Sequence, residues 1–174
     1  MKIKLFAIAA LGAFATACAS TPPVDDTPPV QDTRPVERPD ETPPPVETGP
    51  MAGSADDFVA TAGDRVFYGL DRHDLSDEAR ATLRRQAAWL ASYPGTRILV
   101  AGNCDERGTR EYNLALGARR ANAARTYLIS QGVDPSRIST TSYGKERPTC
   151  MQSSETCWAV NRNATTTLVG GYTN

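Results

Sequence analysis

The stretch that decides the fold is R-I-L-V-A-G-N-C-D-E-R-G-T-R-E-Y-N-L-A-L-G-A-R-R-A-N-A-A-R-T-Y-L, residues 97–128. It opens with a mostly apolar run, residues 97–102, that favours a β-strand. From Thr109 the apolar residues recur at helical spacing, and Gly132 suits a helix C-terminus. The predicted buried stripe of this helix is Leu116, Ala123, Ala124, Tyr127 and Leu128. The sequence thus predicts a strand that passes through a polar turn into a helix over 109–131.

The flanking sequence supplies further helices and strands. Ser54 is a good N-cap for a short helix that ends at Gly63, and residues 65–70 have strand character. Ser76 caps a second helix that stops at Pro94, with Ala79, Leu83, Ala87 and Leu90 at helical spacing. Residues 138–143 and 162–169 are two more predicted strands. This order favours an α+β fold, a two-layer β-α-β-α-β-β sandwich with both long helices on one face of a four-stranded mixed sheet.

Residues 1–17 have the pattern of a secretory signal peptide, with Lys2 and Lys4 before an apolar run and small residues before Cys18. The segment A-T-A-C at 15–18 resembles a lipobox, although Ala15 stands where leucine is usual. A diacylglycerol on Cys18 plus an amide-linked chain such as palmitate would anchor the chain stably. Ala19 favours the outer membrane by resemblance to sorting rules. Ordinary cleavage after Ala17 is the alternative.

Residues 18–53 are predicted to form a tether. Ten of the thirteen prolines fall between positions 20 and 50, among few large apolar side chains. Such a composition favours extended polyproline II over a packed core, at about 3.1 Å per residue. The predicted organisation is a signal peptide (1–17), a lipidated N-terminus with a Pro-rich tether (18–53) and one globular domain (54–174).

Composition argues against several functions. The net charge of −1 gives no electrostatic reason to expect a nucleic-acid partner. The only histidine, His73, is predicted to lie in a solvated loop, so a catalytic triad has little support. The cysteines lack metal-ligand spacing, and we predict no metal and no cofactor. Asp105 and Glu106 leave one enzymatic alternative, a glycosidase-like hydrolase that uses two carboxylates.

The cysteines offer a structural interpretation. Export to an oxidising compartment permits disulfides, and a bond between Cys150 and Cys157 would close a short loop. In the loop-entropy model it contributes about 2 to 3 kcal/mol. Cys104 is then left as a buried or half-buried thiol. Other pairings remain open at this point.

The run from Gly102 to Leu128, followed by S-Y-G-K-E-R-P at 142–148 and N-R at 161–162, closely resembles the OmpA C-terminal-like family and its lipoprotein members. The resemblance covers about residues 58–170. It implies a non-enzymatic domain that binds the peptide stem of peptidoglycan noncovalently through meso-diaminopimelate. The family's principal contacts fall on Asp105 and Arg120. One acid and one guanidinium suit a zwitterionic ligand end, since a guanidinium takes a carboxylate bidentately.

Other family positions fall on named residues, with two departures. Arg162 matches a position near the site, whereas Asn163 replaces a second arginine. Gly69 stands where the family often has an aspartate, so Asp71 is the remaining acid predicted to line the groove. Motif residues that look structural are Gly108, Asn113 and Leu116. Arg119 is expected to be a surface residue.

The resemblance also implies a cellular role. It predicts a protein anchored to the outer membrane, facing the periplasm, that belongs to the Tol-Pal system and has a TolB-like periplasmic propeller as partner. The implied role is support of envelope integrity and cell division. A wall binder with no Tol partner and a peptidoglycan hydrolase are the alternatives. We expect Arg120→Ala to abolish wall binding with little change in melting temperature, and an unfolded variant would mean that Arg120 is structural.

Overall fold

The computed structural model describes residues 49–172. The predicted signal peptide, Cys18 and most of the predicted tether lie outside these residues. The elements in chain order are α1 (Ala55–Ala62), β1 (Arg65–Phe67), α2 (Asp77–Ser92), β2 (Arg97–Asn103), α3 (Arg110–Ser130), a short 3-10 helix (Pro135–Arg137), β3 (Ile138–Gly144), α4 (Glu155–Asn161) and β4 (Asn163–Gly170). Within residues 49–172 we find no helix that combines the length and the hydropathy of a membrane span.

The four strands form one mixed sheet in the order β1-β4-β2-β3. β2 and β3 are parallel, with Ile98 opposite Ile138, and α3 is the crossover between them. β4 is antiparallel to both β1 and β2. The predicted α+β two-layer sandwich is therefore confirmed.

Both long helices begin where the sequence predicts. The Ser76 hydroxyl accepts a hydrogen bond from the Ala79 N–H at 3.2 Å, and the Thr109 hydroxyl accepts one from the Tyr112 N–H at 3.2 Å. Each bond satisfies one of the amide groups that the first helical turn leaves without a partner. Gly132 follows the end of α3 with a φ of 94°, a conformation that glycine adopts without strain.

The core lies between the helices and one face of the sheet. All four apolar residues predicted for α2 are buried there, together with Ile98 and Val100 of β2. On α3 the prediction was partly wrong. Leu128 and two other predicted residues are buried, but Ala123 and Tyr127 are only half-buried. The buried face of α3 instead includes Arg120, a residue that a hydrophobic pattern assigns to the surface.

A pair of glycines sets the distance between α3 and β2. A methyl group on Gly102 of β2 would overlap the carbonyl oxygen of Gly117 on α3, so neither position has room for a side chain. The helix therefore lies against the end of the strand. Asn113 and Arg120 share the helix face of Gly117 by their spacing, and this close approach brings them to the same end of β2.

The segment between β3 and β4 departs from the prediction. The sequence suggests a polar loop there, but residues Glu155–Asn161 form α4, which Ser154 caps. The Cys150–Cys157 disulfide is present, which confirms the predicted pairing. The Asn161 side chain accepts hydrogen bonds from the Thr149 and Cys150 N–H groups, both at 2.9 Å. These bonds and the disulfide join α4 to the preceding loop.

Candidate functional site

A cavity of about 380 Å³ lies beyond the C-terminal end of β2. Its lining includes all four residues that the sequence predicts for a binding site, Asp71, Asp105, Arg120 and Arg162. The structure therefore brings together side chains from three separate stretches of the chain. Both acids and both arginines thus face one cavity.

Asp105 is the acid of the cavity. It lies two residues after β2 and is only 5% exposed. Its carboxylate accepts three hydrogen bonds from Arg107, from the main-chain N–H at 3.2 Å, Nε at 3.3 Å and Nη2 at 2.6 Å. Burial raises the pKa of Asp105, but hydrogen bonds from Arg107 and Arg162 outweigh it and leave the pKa below its usual value. The group is therefore a carboxylate at neutral pH.

Arg162 connects Asp105 to two other parts of the fold. It follows α4, and its side chain is only 8% exposed. Nη1 donates to Asp105 Oδ2 at 3.2 Å, Nη2 donates to Glu155 Oε1 at 2.7 Å, and Nε donates to the Tyr68 carbonyl at 3.2 Å. Arg162 therefore neutralises Asp105 from the buried side and ties it to α4 and the end of β1.

Arg120 has very different surroundings. It is 0% exposed, and its guanidinium donates to three main-chain carbonyls, those of Arg72 and Asn103 at 2.8 Å and of Gly69 at 3.1 Å. No carboxylate lies within 4.0 Å of it in the part of the chain that the structure describes. Burial lowers the pKa of Arg120, yet an arginine stays charged in proteins. It is a buried cation whose hydrogen-bond acceptors are all uncharged in the part of the chain that the structure describes.

Tyr68 and Cys104 complete the surroundings of Arg120. The Tyr68 hydroxyl donates to the Arg120 carbonyl at 2.9 Å, and its ring centroid lies 5.3 Å from the guanidinium. The Cys104 thiol lies 3.4 Å from Arg120 Nη1 and donates to the Asn113 carbonyl at 3.4 Å. Cys104 is a free, buried thiol, as predicted, and burial raises its pKa. It packs as a small side chain and is not an activated nucleophile.

Asp71 lies at the rim of the cavity, apart from Asp105. It has a φ of 55°, unusual for a residue with a side chain, and it is exposed. The hydroxyl of Tyr112, at the start of α3, donates to its carboxylate. The pair joins the loop after β1 to α3, and it forms the outer edge of the cavity.

The two residues that depart from the family pattern both take part in the hydrogen bonds around the site. The Gly69 position contributes its carbonyl, which accepts from Arg120, and this contact needs no side chain. Asn163 is 1% exposed and accepts from the Asn103 side-chain amide at 2.8 Å. Asn163 is therefore a link between β4 and β2, and it is not among the residues that line the cavity.

Sequence reasoning missed several residues of the site. Arg107 lies only two residues from Asp105 in a turn, so its charge was a usable signal. Its guanidinium lies 4.1 Å above the Trp158 ring, and its Nη1 lies 3.8 Å from Glu155 Oε2. No local signal identified Glu155 or Trp158, because they reach the site on α4, a helix that the sequence did not predict.

The same geometry bears on the hydrolase alternative. A general acid needs a raised pKa, whereas the pKa of Asp105 and that of Glu106 are both lowered, the latter by side-chain hydrogen bonds from Ser153 and Trp158. His73 is exposed and does not line this cavity. Within residues 49–172 no cluster of acidic, cysteine or histidine side chains could hold a metal ion.

Comparison with known proteins matches these features to one family. The model of the OmpA family matches residues 67–162. The peptidoglycan-associated lipoprotein of Mesorhizobium japonicum is 55% identical over 118 residues, which cover 68% of this chain and 70% of that protein. The peptidoglycan-associated lipoprotein of Haemophilus influenzae is 44% identical over 99 residues, 57% of this chain and 65% of that protein.

Solved structures show the same fold. The crystal structure of the peptidoglycan-associated lipoprotein from Burkholderia pseudomallei superposes with a TM-score of 0.59 at 40% identity, over 61% of this chain and 90% of that chain. The C-terminal domain of Helicobacter pylori MotB has a TM-score of 0.58 at 22% identity, over 62% of this chain and 84% of that chain, a likeness of fold alone. The chain therefore belongs to the OmpA family, and within it to the peptidoglycan-associated lipoproteins.

Proposed function

We propose that residues 54–174 form a non-enzymatic domain that binds the peptide stem of peptidoglycan, with the zwitterionic end of meso-diaminopimelate in the cavity. Residues 1–17 are proposed as the signal peptide, and residues 18–53 as the lipidated N-terminus and tether. The relatives' name, peptidoglycan-associated lipoprotein, supports the wall as ligand and a lipid anchor. The proposed location is the outer membrane, with the domain facing the periplasm.

The observation that carries the proposal is the buried charge of Arg120. A guanidinium has five N–H donors, and the three carbonyls and the Cys104 sulfur account for four of them. A buried cation without an anion is unfavourable, so a ligand carboxylate in the cavity would gain a strong, desolvated partner.

Asp105 supplies the opposite charge. It stays ionised at neutral pH and lines the same cavity as Arg120. A ligand that carries an ammonium and a carboxylate on one carbon satisfies both ends, whereas a simple amine or a simple acid satisfies one. Diaminopimelate has such an end in the peptide stem, which supports it as the group recognised.

The test is a sacculus pull-down with the purified domain. Wild type should sediment with sacculi, and free meso-diaminopimelate should release it. Asp105→Asn should lose most of the sedimentation, whereas the matched control Asp56→Asn, which removes one exposed acid on α1, should retain it. Wild type that stays in the supernatant would contradict the proposal.

The same samples test the hydrolase alternative. A binding domain should release no soluble muropeptides from the sacculi over the time of the assay. Muropeptide release by wild type that disappears in Asp105→Asn would overturn the binding-only function. The lowered pKa values of Asp105 and Glu106 support binding, because neither group is prepared to donate a proton.

We further propose a Tol-Pal role, with a TolB-like periplasmic propeller as partner and support of envelope integrity and cell division as outcome. The identity to the peptidoglycan-associated lipoproteins supports it. A purified propeller should bind the wild-type domain, and absence of binding would favour a wall binder without a Tol partner.

For the proposed anchor, Cys18→Ala should move the protein from the membrane fraction to the soluble periplasm.

A further inference from the structure

We infer that Arg107 is an internal counter-cation, which occupies the ammonium position on Asp105 in the free domain and must leave it when a ligand binds. The inference rests on the proposed function, because it concerns how the same cavity accepts a zwitterion. It makes Arg107 a regulator of affinity rather than a ligand contact.

The first support is the occupancy of the Asp105 carboxylate. A carboxylate has about four acceptor sites. In this structure it accepts four hydrogen bonds, two from the Arg107 side chain, one from the Arg107 main chain and one from Arg162. An incoming ammonium needs at least one of these sites, so a resident donor has to be displaced.

The second support is the unequal burial of the donors. The Arg162 side chain is 8% exposed and has two further partners, so it is held in place. The Arg107 side chain is 35% exposed, and its hydrogen bonds all go to Asp105. Its other contacts, with Glu155 and the Trp158 ring, are longer. Arg107 is therefore the cation that can leave at the lower cost.

The third support is an alternative place for the displaced charge. Glu155 Oε2 lies 3.8 Å from Arg107 Nη1, and the face of the Trp158 ring lies 4.1 Å from the guanidinium carbon. Both side chains belong to α4, and Glu155 is exposed. A small rotation of the Arg107 side chain can exchange Asp105 for Glu155 and keep the contact with the aromatic ring.

Competition of this kind predicts the direction of a mutational effect. Removal of the Arg107 side chain frees acceptor sites on Asp105, so meso-diaminopimelate should bind more tightly. The ion pair between Arg107 and Asp105 is partly exposed and therefore of modest strength. Its loss should increase the affinity for meso-diaminopimelate about fivefold. A direct contact between Arg107 and a ligand carboxylate would give the opposite sign.

The experiment is titration calorimetry of the folded domain with meso-diaminopimelate. Arg107→Ala should bind about fivefold more tightly than wild type. Arg107→Lys, which keeps a competing cation but not the two-point contact of the guanidinium, should bind with an affinity between those of wild type and Arg107→Ala. The matched control is Arg110→Ala, which removes an exposed arginine paired with Glu146 and should not change the affinity.

Equal or weaker binding by Arg107→Ala overturns the inference while wild-type binding still supports the proposed function. Absence of binding by wild type contradicts the proposed function, and the inference with it. A second readout is the NMR signal of the Arg107 Nε–H. Ligand saturation should shift it and speed its exchange with water, and an unchanged, protected signal contradicts displacement.

Discussion

The two ends of the cavity stabilise charge in opposite ways. At one end, Asp105 is matched by two cations, Arg107 and Arg162, and the region reaches solvent through Glu155. At the other end, Arg120 is wholly buried, and its partners among residues 49–172 are neutral: three main-chain carbonyls, the Cys104 sulfur and the Tyr68 ring. A zwitterion would thus replace an existing ion pair at the acidic end, but would add a new one at the basic end.

This difference predicts that the two ends contribute differently to folding stability and to ligand affinity. The hydrogen bonds of Arg120 join α3 to the loop after β1 and to the end of β2, so they are part of the fold. The bonds of Asp105 to Arg107 are local and partly exposed. We expect mutations at the basic end to lower the free energy of unfolding. Mutations at the acidic end should mainly change the affinity for the ligand.

The largest expected effect is that of Arg120→Ala. It leaves buried carbonyls without donors, and we expect a loss of about 3 kcal/mol in the free energy of unfolding. This replaces the expectation from sequence that the melting temperature would change little. Urea denaturation measures it.

Arg119→Ala is the matched control for that experiment. It removes the same charge one position away on an exposed face of α3, and should change the free energy of unfolding by less than about 0.5 kcal/mol. Equal effects of the two variants would show that the basic end is not structural.

Loss of the disulfide comes next and tests the acidic end. Cys150→Ser with Cys157→Ser should cost about 2 to 3 kcal/mol, because the unfolded chain loses a loop constraint. Since α4 carries Glu155 and precedes Arg162, binding of meso-diaminopimelate should weaken as well. Thermal unfolding and calorimetry with and without dithiothreitol give both quantities. The double variant should not respond to the reductant, and a response would point to another thiol.

The smallest expected effect is the pH dependence that Asp105 contributes. Its pKa is lowered in the folded state, so its stabilisation is complete above the unfolded value of about 3.9 and is lost as the pH falls through the folded value. Asp105→Asn should therefore be about 1 to 2 kcal/mol less stable than wild type at pH 7. The difference should shrink below about pH 4.

Urea denaturation of both proteins at pH 7, 5 and 3 measures this difference. Asp56→Asn serves again as control, because Asp56 is exposed and is not among the residues that line the cavity. A difference between wild type and Asp105→Asn that is constant with pH would mean that the ion pairs of Asp105 contribute nothing to stability.

Local sequence predicted much of the fold for identifiable reasons. Ser76 and Thr109 lie at the N-caps of the two long helices, because their hydroxyls accept hydrogen bonds from main-chain N–H groups only three residues away. The β2–α3 unit follows from the apolar run of the strand and the helical spacing of the residues after it, whereas the close approach of Gly102 to Gly117 was found only in the structure. These signals act between neighbours in the chain, or between two elements joined by one turn.

The sequence by itself determined the α+β class and the order of its elements apart from α4, and it gave the disulfide as one of its possible pairings. Its resemblance to the family selected Asp105, Arg120, Arg162 and Asp71 as candidates. Only the tertiary structure decided that Arg120 is buried, that Arg107 donates hydrogen bonds to Asp105, and that α4 places Glu155 beside both Arg107 and Arg162. The reason is distance along the chain. Arg120 donates to a carbonyl 48 residues away, and Arg162 pairs with a carboxylate 57 residues away. A buried arginine and an exposed one look alike until the sheet supplies these acceptors.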